Sequence, residues 1–412
     1  MVFSVRWQSK SPIPSQNSFP MMTAPATHAD IDANPPSSRA SAKRGSQLAL
    51  TMLFLMSTLA VAQSRPADFD QVAASASAAR DHGDIPRAIA LYEEAVQLNS
   101  KWPDGWWYLG SLQYGSNSYE PASAALTHYL ELTPGAGPAL ALRGLCEFEE
   151  GKYSESLQDL QQGISRGAAN QPRNAGIILY HESLLLTKAG RFEEALGQYT
   201  LMVKHGTVDD DVVNGIGLAG LRIPVLPKEI DPSQAQMISI VGHAASDVMR
   251  GDLPSAHTAF QEIFENFPKT PNLHYLYGYL LFTIDPDQAI AQFNEEIVVS
   301  PASAITHGML AWAYGLRGDY TDSLPHAQQA AAEDPSLPMG QLVLGRALVE
   351  TGDVTGGIPH LEAVLASDPQ NLEAHLALAK AYSKVGRSED ARRERLQCLS
   401  ISGQGAATDA TM

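Results

Sequence analysis

Residues 106–134 read WWYLGSLQYGSNSYEPASAALTHYLELTP, and this stretch decides the fold. Two small residues in it, Gly110 and Ala122, stand 12 positions apart, and the bulky Leu126 follows four positions later. Apolar residues at intervals of three and four lie on one face of an α-helix, and small residues at a crossing let two helices approach closely. The turn-forming residues in the middle and Pro134 at the end therefore predict a pair of short helices.

The same pattern recurs along most of the chain. Aligning the chain on Ala122 gives a first column of small residues, at intervals of 34, 34, 39, 61, 33, 34, 34 and 34: Ala88, Ala122, Ser156, Ala195, Ala256, Ala289, Ser323, Gly357 and Ala391. A second small column stands twelve positions earlier, with Gly278 one position out of register, and prolines close several units. A helix pair of this size cannot bury its apolar face alone, so the units must stack on one another.

The pattern resembles that of the tetratricopeptide repeat family, W-x2-L-G-x2-Y, then A-x3-F, then P. The residues that match it best are Trp106, Leu109, Gly110, Ala122, Leu126 and Pro134. The resemblance covers nearly all of residues 69–400. It implies an all-α fold, an α-solenoid that winds as a right-handed superhelix of about nine helix-turn-helix units. It also implies that the first helix of each unit lines a concave groove and that the protein holds other proteins.

The register predicts two arrays. Four units occupy residues 63–206 and five occupy residues 237–400, where Arg392, Arg393 and Arg395 suit a capping last helix that no further unit covers. Residues 401–412 are expected to form a disordered tail.

The interval of 61 between Ala195 and Ala256 marks residues 207–236 as a degenerate repeat or connector, with a short glycine-rich helix and a proline-rich hinge. Its glycines formally spell G-x-G-x-x-G, at Gly215, Gly217 and Gly220. A dinucleotide site needs β-units around that motif and a long helix after it, and Pro224 prevents such a helix. We therefore do not expect a nucleotide here.

The first 62 residues differ from the rest. Residues 1–46 are rich in Ser and Pro, which predicts a disordered extension or a start codon assigned too early. Residues 47–62 hold an apolar run from Leu48 to Ala60 after Lys43-Arg44, and end in the small-x-small sequence Ala60-Val61-Ala62. This is typical of a signal peptide that is cleaved before Gln63. The run is shorter than the roughly 20 residues that span a bilayer, so an uncleaved membrane anchor is the alternative.

Composition excludes several classes of protein. The formal net charge of −17 argues against binding to nucleic acid, which requires a basic surface. The two cysteines, Cys146 and Cys398, are predicted to be buried and unbridged. No H-E-x-x-H or P-loop sequence is present. Histidines recur in columns, but equivalent residues of stacked helix pairs stand about 10 Å apart, too far to share a metal ion. We therefore predict no enzyme activity, no cofactor and no metal.

The groove is the remaining candidate site. The stripe of each first helix that is shifted by one residue from the small column should face the concave side, and this stripe is unusually aromatic. The candidate peptide-binding residues are Trp107, Tyr114, Phe148, Tyr180, Tyr275, Tyr279, Phe282, Trp312, Arg346 and Lys380. Part of this set could instead form the core of a tight superhelix. Some family members clamp a partner's C-terminal carboxylate with Lys and Asn; here only Arg346, Lys380 and Lys384 form a basic patch, so that function is not carried over.

The sequence thus predicts an exported, non-enzymatic scaffold that binds protein or peptide partners in a cell envelope, in the periplasm or outside the cell. One alternative is a membrane-anchored assembly factor with an uncleaved signal. A second is an enzyme or glycan-binding module with its site near residues 207–236, where Asp209, Asp210, Asp211 and Lys228 are the available polar groups.

Overall fold

The computed structural model describes residues 68–170 and 172–409, and within these ranges the protein is all-α, without a β-strand. The predicted extension 1–46 and the predicted signal sequence 47–62 lie outside the described residues. In the part of the chain that is described, none of the helices combines the length and the hydropathy needed to cross a bilayer.

The chain forms two compact units that divide between Ile178 and Leu179. The first unit contains α1 to α6 and the beginning of α7. The bounds of these helices are Phe69–Asp81 (α1), Ile85–Leu98 (α2), Pro103–Gly115 (α3), Tyr119–Leu132 (α4), Gly137–Glu149 (α5), Tyr153–Ser165 (α6) and Pro172–Lys188 (α7). Helices α1 and α2, α3 and α4, and α5 and α6 pack as consecutive pairs.

The second unit contains the rest of α7 and all later helices. Their bounds are Phe192–Lys204 (α8), Asp210–Gly220 (α9), Ala235–Arg250 (α10), Leu253–Asn266 (α11), Leu273–Leu281 (α12), Pro286–Val299 (α13), Ala304–Arg317 (α14), Tyr320–Glu333 (α15), Pro338–Thr351 (α16), Val354–Ser367 (α17), Leu372–Lys384 (α18) and Ser388–Asp409 (α19). Helices α10 and α11, α12 and α13, α14 and α15, α16 and α17, and α18 and α19 pack as consecutive pairs, and α14, α16 and α18 also contact one another in sequence.

Gly-Asp turns separate the helices of a pair as the repeat pattern predicts. Gly251 and Gly352 adopt φ of 85° and 111°, which favours glycine because it has no Cβ. The aspartate that follows each of them caps the next helix: Asp252 accepts a hydrogen bond from the Ser255 amide, and Asp353 from the Gly356 amide. One dipeptide thus ends one helix and starts the next.

The two small columns meet at the helix crossings. Where the first column holds serine, the side chain donates to the carbonyl of its partner in the second column: Ser156 Oγ to Gly144 at 2.6 Å and Ser323 Oγ to Ala311 at 2.7 Å. The residues four positions after the first column, most of them bulky, have no solvent exposure in eight units: Tyr92, Leu126, Leu160, Tyr199, Phe260, Phe293, Ala327 and Leu361. The register read from the sequence is therefore the register of the core.

The segment 207–236 is more ordered than a hinge requires. Helix α9 packs against both α8 and α10, and its residues 212–213 and 215–220 are buried. Its glycines have a packing role: a Cβ on Gly217 would overlap the carbonyl oxygen of Ile238, and a Cβ on Gly242 of α10 would overlap that of Val213. The G-x-G-x-x-G sequence thus lets two helix backbones meet.

The connector that follows α9 is also tied down. Arg222, with φ of 58°, pairs with the Glu193 carboxylate, and the Tyr275 hydroxyl donates to the same carboxylate. Lys188 Nζ lies 3.0 Å from Glu229 in the connector. These contacts join the connector to helices of the second unit, whereas the sequence placed the break between two arrays at residues 207–236.

The C-terminal end differs from the sequence-based expectation. Helix α19 continues to Asp409, whereas a disordered tail was expected from residue 401; no proline interrupts the helix in that stretch. Arg392, Arg393 and Arg395 are exposed on this helix, and its role as a cap stays a prediction. Both cysteines, Cys146 and Cys398, are buried free thiols, as predicted.

Candidate binding groove

Two of the predicted groove residues belong to the core. Trp107 is 4% exposed and packs among Leu126, Tyr129 and Leu142, and Tyr275 is 1% exposed. Burial is the main reason that the pKa of Tyr275 is well above its usual value, and the nearby Glu193 carboxylate adds to it. Neither side chain can contact a partner without unfolding of its surroundings, so the prediction was wrong for these two residues. Trp107 and Tyr275 each stand three positions before the small residue of their helix, Gly110 and Gly278, which places them one turn away on the face that packs at the crossing.

Five other predicted aromatic residues are half-buried against rings of their own chain. The pairs are Tyr114 with Tyr119, Phe148 with Tyr153, Tyr180 with His181, Tyr279 with Tyr275, and Phe282 with Phe293. Each of these rings is therefore partly covered by an intramolecular contact. Their role in binding stays a prediction.

The last three predicted residues meet in one cleft of the second unit. Trp312 on α14, Arg346 on α16 and Lys380 on α18 stand 34 positions apart and line a cavity of about 360 Å³. Equivalent positions of three stacked first helices therefore converge, as the repeat register predicts for a surface lined by first helices.

Arginine and tryptophan form a stacked pair in this cleft. The guanidinium carbon of Arg346 lies 4.5 Å from the centroid of the Trp312 ring, a distance at which a cation is attracted to the π-face. Both side chains are half-buried. Among the described residues, no carboxylate forms an ion pair with Arg346.

Both lysines of the basic patch proposed from Arg346, Lys380 and Lys384 pair with one carboxylate, that of Glu350. Lys380 Nζ lies 2.5 Å and 2.7 Å from the two carboxylate oxygens of Glu350. Lys384 Nζ lies 3.7 Å from Glu350 and donates to the Val349 carbonyl at 2.7 Å. Arg346 is thus the cation of this patch that keeps its charge available to a ligand.

Exposed leucines flank the charged groups. Leu316 on α14 is 59% exposed and Leu376 on α18 is 53% exposed, and both line the cleft with the exposed carboxylate of Glu373. Leu316, Tyr320, Glu350 and Glu373 were not among the residues predicted for the groove. Leu316 and Glu350 follow Trp312 and Arg346 by four positions, so extending the predicted face by one helical turn would have found them.

Two segments of the chain match models of a known protein family. The tetratricopeptide repeat family model matches residues 74–137 and residues 348–394, and these two segments lie in the helix pairs whose small columns meet at the crossings. The chain therefore contains tetratricopeptide repeats. Solved structures of MamA are similar to part of it. One MamA crystal structure is 19% identical, with 40% of this chain and 96% of that chain covered and a TM-score of 0.36, and a MamA double mutant is 16% identical, with 41% and 95% covered and a TM-score of 0.37.

The histidine columns of this tetratricopeptide repeat protein have a structural use. His375 Nε2 lies 3.1 Å from the Pro369 carbonyl oxygen, and its Nδ1 lies 2.7 Å from Glu394 on the second helix of the pair. One other unit repeats both contacts with His307, Pro301 and His326. These histidines therefore link the proline turn to the helix pair, as expected of residues inherited from one repeat template. Within the described ranges, no group of three or more His, Cys, Asp or Glu residues is placed to hold a metal ion.

The acidic run before α9 in this repeat protein also has a local role. Asp209 caps the helix by accepting from the Val212 amide at 2.9 Å, and Asp210 and Asp211 lie in its first turn. Acidic groups there interact favourably with the helix dipole. Lys228 lies in the short 3₁₀ helix Pro227–Glu229 after α9, so these four residues do not converge on one site by this geometry.

Proposed function

We propose that this protein is an exported, non-enzymatic tetratricopeptide repeat scaffold that binds a peptide segment of another protein in the cleft between α14, α16 and α18. The compartment is the cell envelope, and the role is the assembly or escort of other proteins there.

The observation that carries the proposal is the convergence of Trp312, Arg346 and Lys380 with two exposed leucines. A cleft with exposed apolar side chains beside a partly desolvated guanidinium suits a peptide, because aromatic residues and arginine supply most of the energy at protein interfaces. The family supports protein partners in general.

Site-specific cross-linking tests the proposed cleft. A photoreactive amino acid at Leu376 should capture a partner in the envelope fraction, and Trp312→Ala should reduce that capture at least fivefold. The matched control is the same photoreactive group at Val298 on α13, which is 77% exposed and lies outside the cleft. Equal capture from both positions, or capture unaffected by Trp312→Ala, would place the site elsewhere.

Export rests on the sequence of residues 47–62. Mass spectrometry of the native protein should find Gln63 as the first residue of the mature chain. Retention of residues 48–60 in a membrane fraction would favour the membrane-anchored alternative, and their retention in a soluble cytoplasmic protein would refute export.

The alternative of an enzyme or glycan-binding site near residues 207–236 has lost its support. The glycines of this segment pack against neighbouring helices, and Asp209 caps α9. We therefore propose no second function there.

A further inference from the structure

Arg346 differs from the other partly buried arginines of this protein. Four other arginines are half-buried among those whose side chains the structure describes, and each pairs with a carboxylate: Arg80 with Asp81, Arg143 with Asp159, Arg191 with Glu194 and Arg222 with Glu193. Arg346 instead lies over the Trp312 ring, and no carboxylate of the described residues pairs with it. Burial removes part of the hydration of a guanidinium, and a cation–π contact offsets that loss without satisfying its N–H donors.

We infer that Arg346 receives the side-chain carboxylate of an Asp or Glu in an internal peptide segment, whose neighbouring large apolar side chain packs between Leu316 and Leu376. This inference deepens the proposed function and rests on it.

The charges around the cleft favour a single negative charge on the ligand. Lys380 and Lys384 both pair with Glu350, and Glu373 lines the cleft with Arg346, so these three cations and two carboxylates leave one net positive charge. A phosphate dianion or a run of acidic residues would add a second negative charge near Glu350 and Glu373, at a Coulombic cost. One carboxylate can instead form two parallel hydrogen bonds with the planar guanidinium.

The positions of the lining residues favour an internal segment over a chain terminus. Terminal carboxylates are captured by free backbone N–H groups or, in some tetratricopeptide repeat proteins, by a clamp of Lys and Asn side chains that this chain does not match. Trp312, Arg346 and Lys380 lie inside α14, α16 and α18, where backbone N–H groups already bond within the helix. The cleft therefore offers the Arg346 side chain as its donor, next to the apolar surface of Leu316 and Leu376.

The volume fits this ligand. About 360 Å³ lies near the lower end of the range for small-ligand pockets, which suits one or two side chains of a peptide that lies along the surface. The half-exposed leucines leave apolar area that such a side chain would bury.

Peptide arrays test the inference with the full chain. One array carries octapeptides whose two central positions are varied among all residues, with acetylated N-termini and amidated C-termini. A second array carries the same sequences with free C-termini. Wild-type protein should enrich a Leu, Ile, Met or Phe next to Asp or Glu on the amidated array. Replacing that acid by its amide should lower the affinity about tenfold, as loss of a charge-assisted hydrogen bond predicts.

Variants of Arg346 give the decisive comparison. Arg346→Gln should abolish the preference for the acid over its amide and keep the apolar preference, Arg346→Lys should retain a weaker acid preference, and Arg346→Glu should favour Lys or Arg at the same position. Arg392→Gln removes an exposed arginine of α19 and is the matched control. Circular dichroism of each variant should match the wild type.

The outcomes separate the inference from the proposed function. Apolar enrichment without an acid preference, or an acid preference that survives Arg346→Gln, overturns the inference and leaves the cleft as a peptide site. Enrichment on the free-terminus array alone overturns the choice of an internal segment. If the wild type enriches no peptide at all on either array, both the inference and the cleft as a peptide site are overturned.

Discussion

The Tyr275 hydroxyl donates a hydrogen bond of 2.7 Å to Glu193 Oε1 and so joins α12 to α8 across 82 positions of sequence. Arg222, from the connector after α9, pairs with the same carboxylate. Three separate segments thus converge on Glu193. The inserted helix α9 packs against α8 and α10, and α8 and α10 also contact each other.

The first prediction concerns this convergence. Tyr275→Phe removes the hydroxyl and should lower the free energy of unfolding by about 1.5–3 kcal/mol, the range for a hydrogen bond to a charged group. Tyr279→Phe is the matched control, because its hydroxyl lies 3.5 Å from the Glu193 carbonyl oxygen, at the limit of a hydrogen bond. Urea unfolding of both variants measures the difference, and equal destabilisation would contradict the assignment.

The second prediction concerns the contact of α9 with α10. Gly217→Ala and Gly242→Ala each place a methyl group on a backbone carbonyl of the other helix, so the helices must separate. We expect each to cost at least about 1–3 kcal/mol, as overpacking usually does. Gly197→Ala on α8 is the control, since nothing lies within 4 Å of the added methyl, and it should stabilise the helix by about 0.5–1 kcal/mol. Thermal unfolding distinguishes them; three similar shifts would disprove the close approach.

The third prediction concerns proteolysis of the segment 207–236. Trypsin should cut first after Lys228, apart from the tails, because residues 228–229 and 231–236 are exposed while α9 is buried. The nicked protein should keep its helicity and elute as one species, because α9 still packs on α8 and α10. Size-exclusion chromatography with mass spectrometry provides the measurement. An initial cut within residues 271–370, or separation of the fragments without denaturant, would refute the packing described for α9.

The fourth prediction concerns pH and Glu147 on α5. Burial raises the pKa of this carboxyl from 4.5 to about 7, and the nearby Asp159 adds to the shift. The folded protein therefore holds a proton between pH 4.5 and 7 that the unfolded chain has released. The stabilisation from this proton is complete below pH 4.5 and is lost as the pH rises through 7.

Glu147→Gln tests the pH effect because the amide cannot ionise. Its free energy of unfolding should exceed that of the wild type at pH 8, by at most about 3 kcal/mol from the size of the pKa shift, and should differ little at pH 5. Glu94→Gln, at an exposed position of α2, should show no such dependence. Urea unfolding at both pH values gives the comparison, and a constant difference would contradict the burial argument.

Local sequence determined the repeat. Small residues twelve positions apart, Gly-Asp turns and closing prolines each act through the residues next to them, so helix pairs and their core could be predicted from spacing alone. Ser156 and Gly144 illustrate this, since their hydrogen bond joins the two columns that the sequence had aligned.

Tertiary structure decided which aromatic residues face solvent. Tyr275 and Tyr279 lie on one helix at helical spacing, yet Tyr275 is buried against Glu193 while Tyr279 is half-exposed. That difference depends on the positions of α8 and Arg222, which follow from the insertion of α9. The spacing of residues along α12 does not determine those positions. The pairing of Lys380 with Glu350, which leaves Arg346 without a carboxylate, is likewise a property of three stacked helices. Periodicity fixes the face of a helix, whereas the neighbours that cover the face depend on contacts between residues distant in sequence.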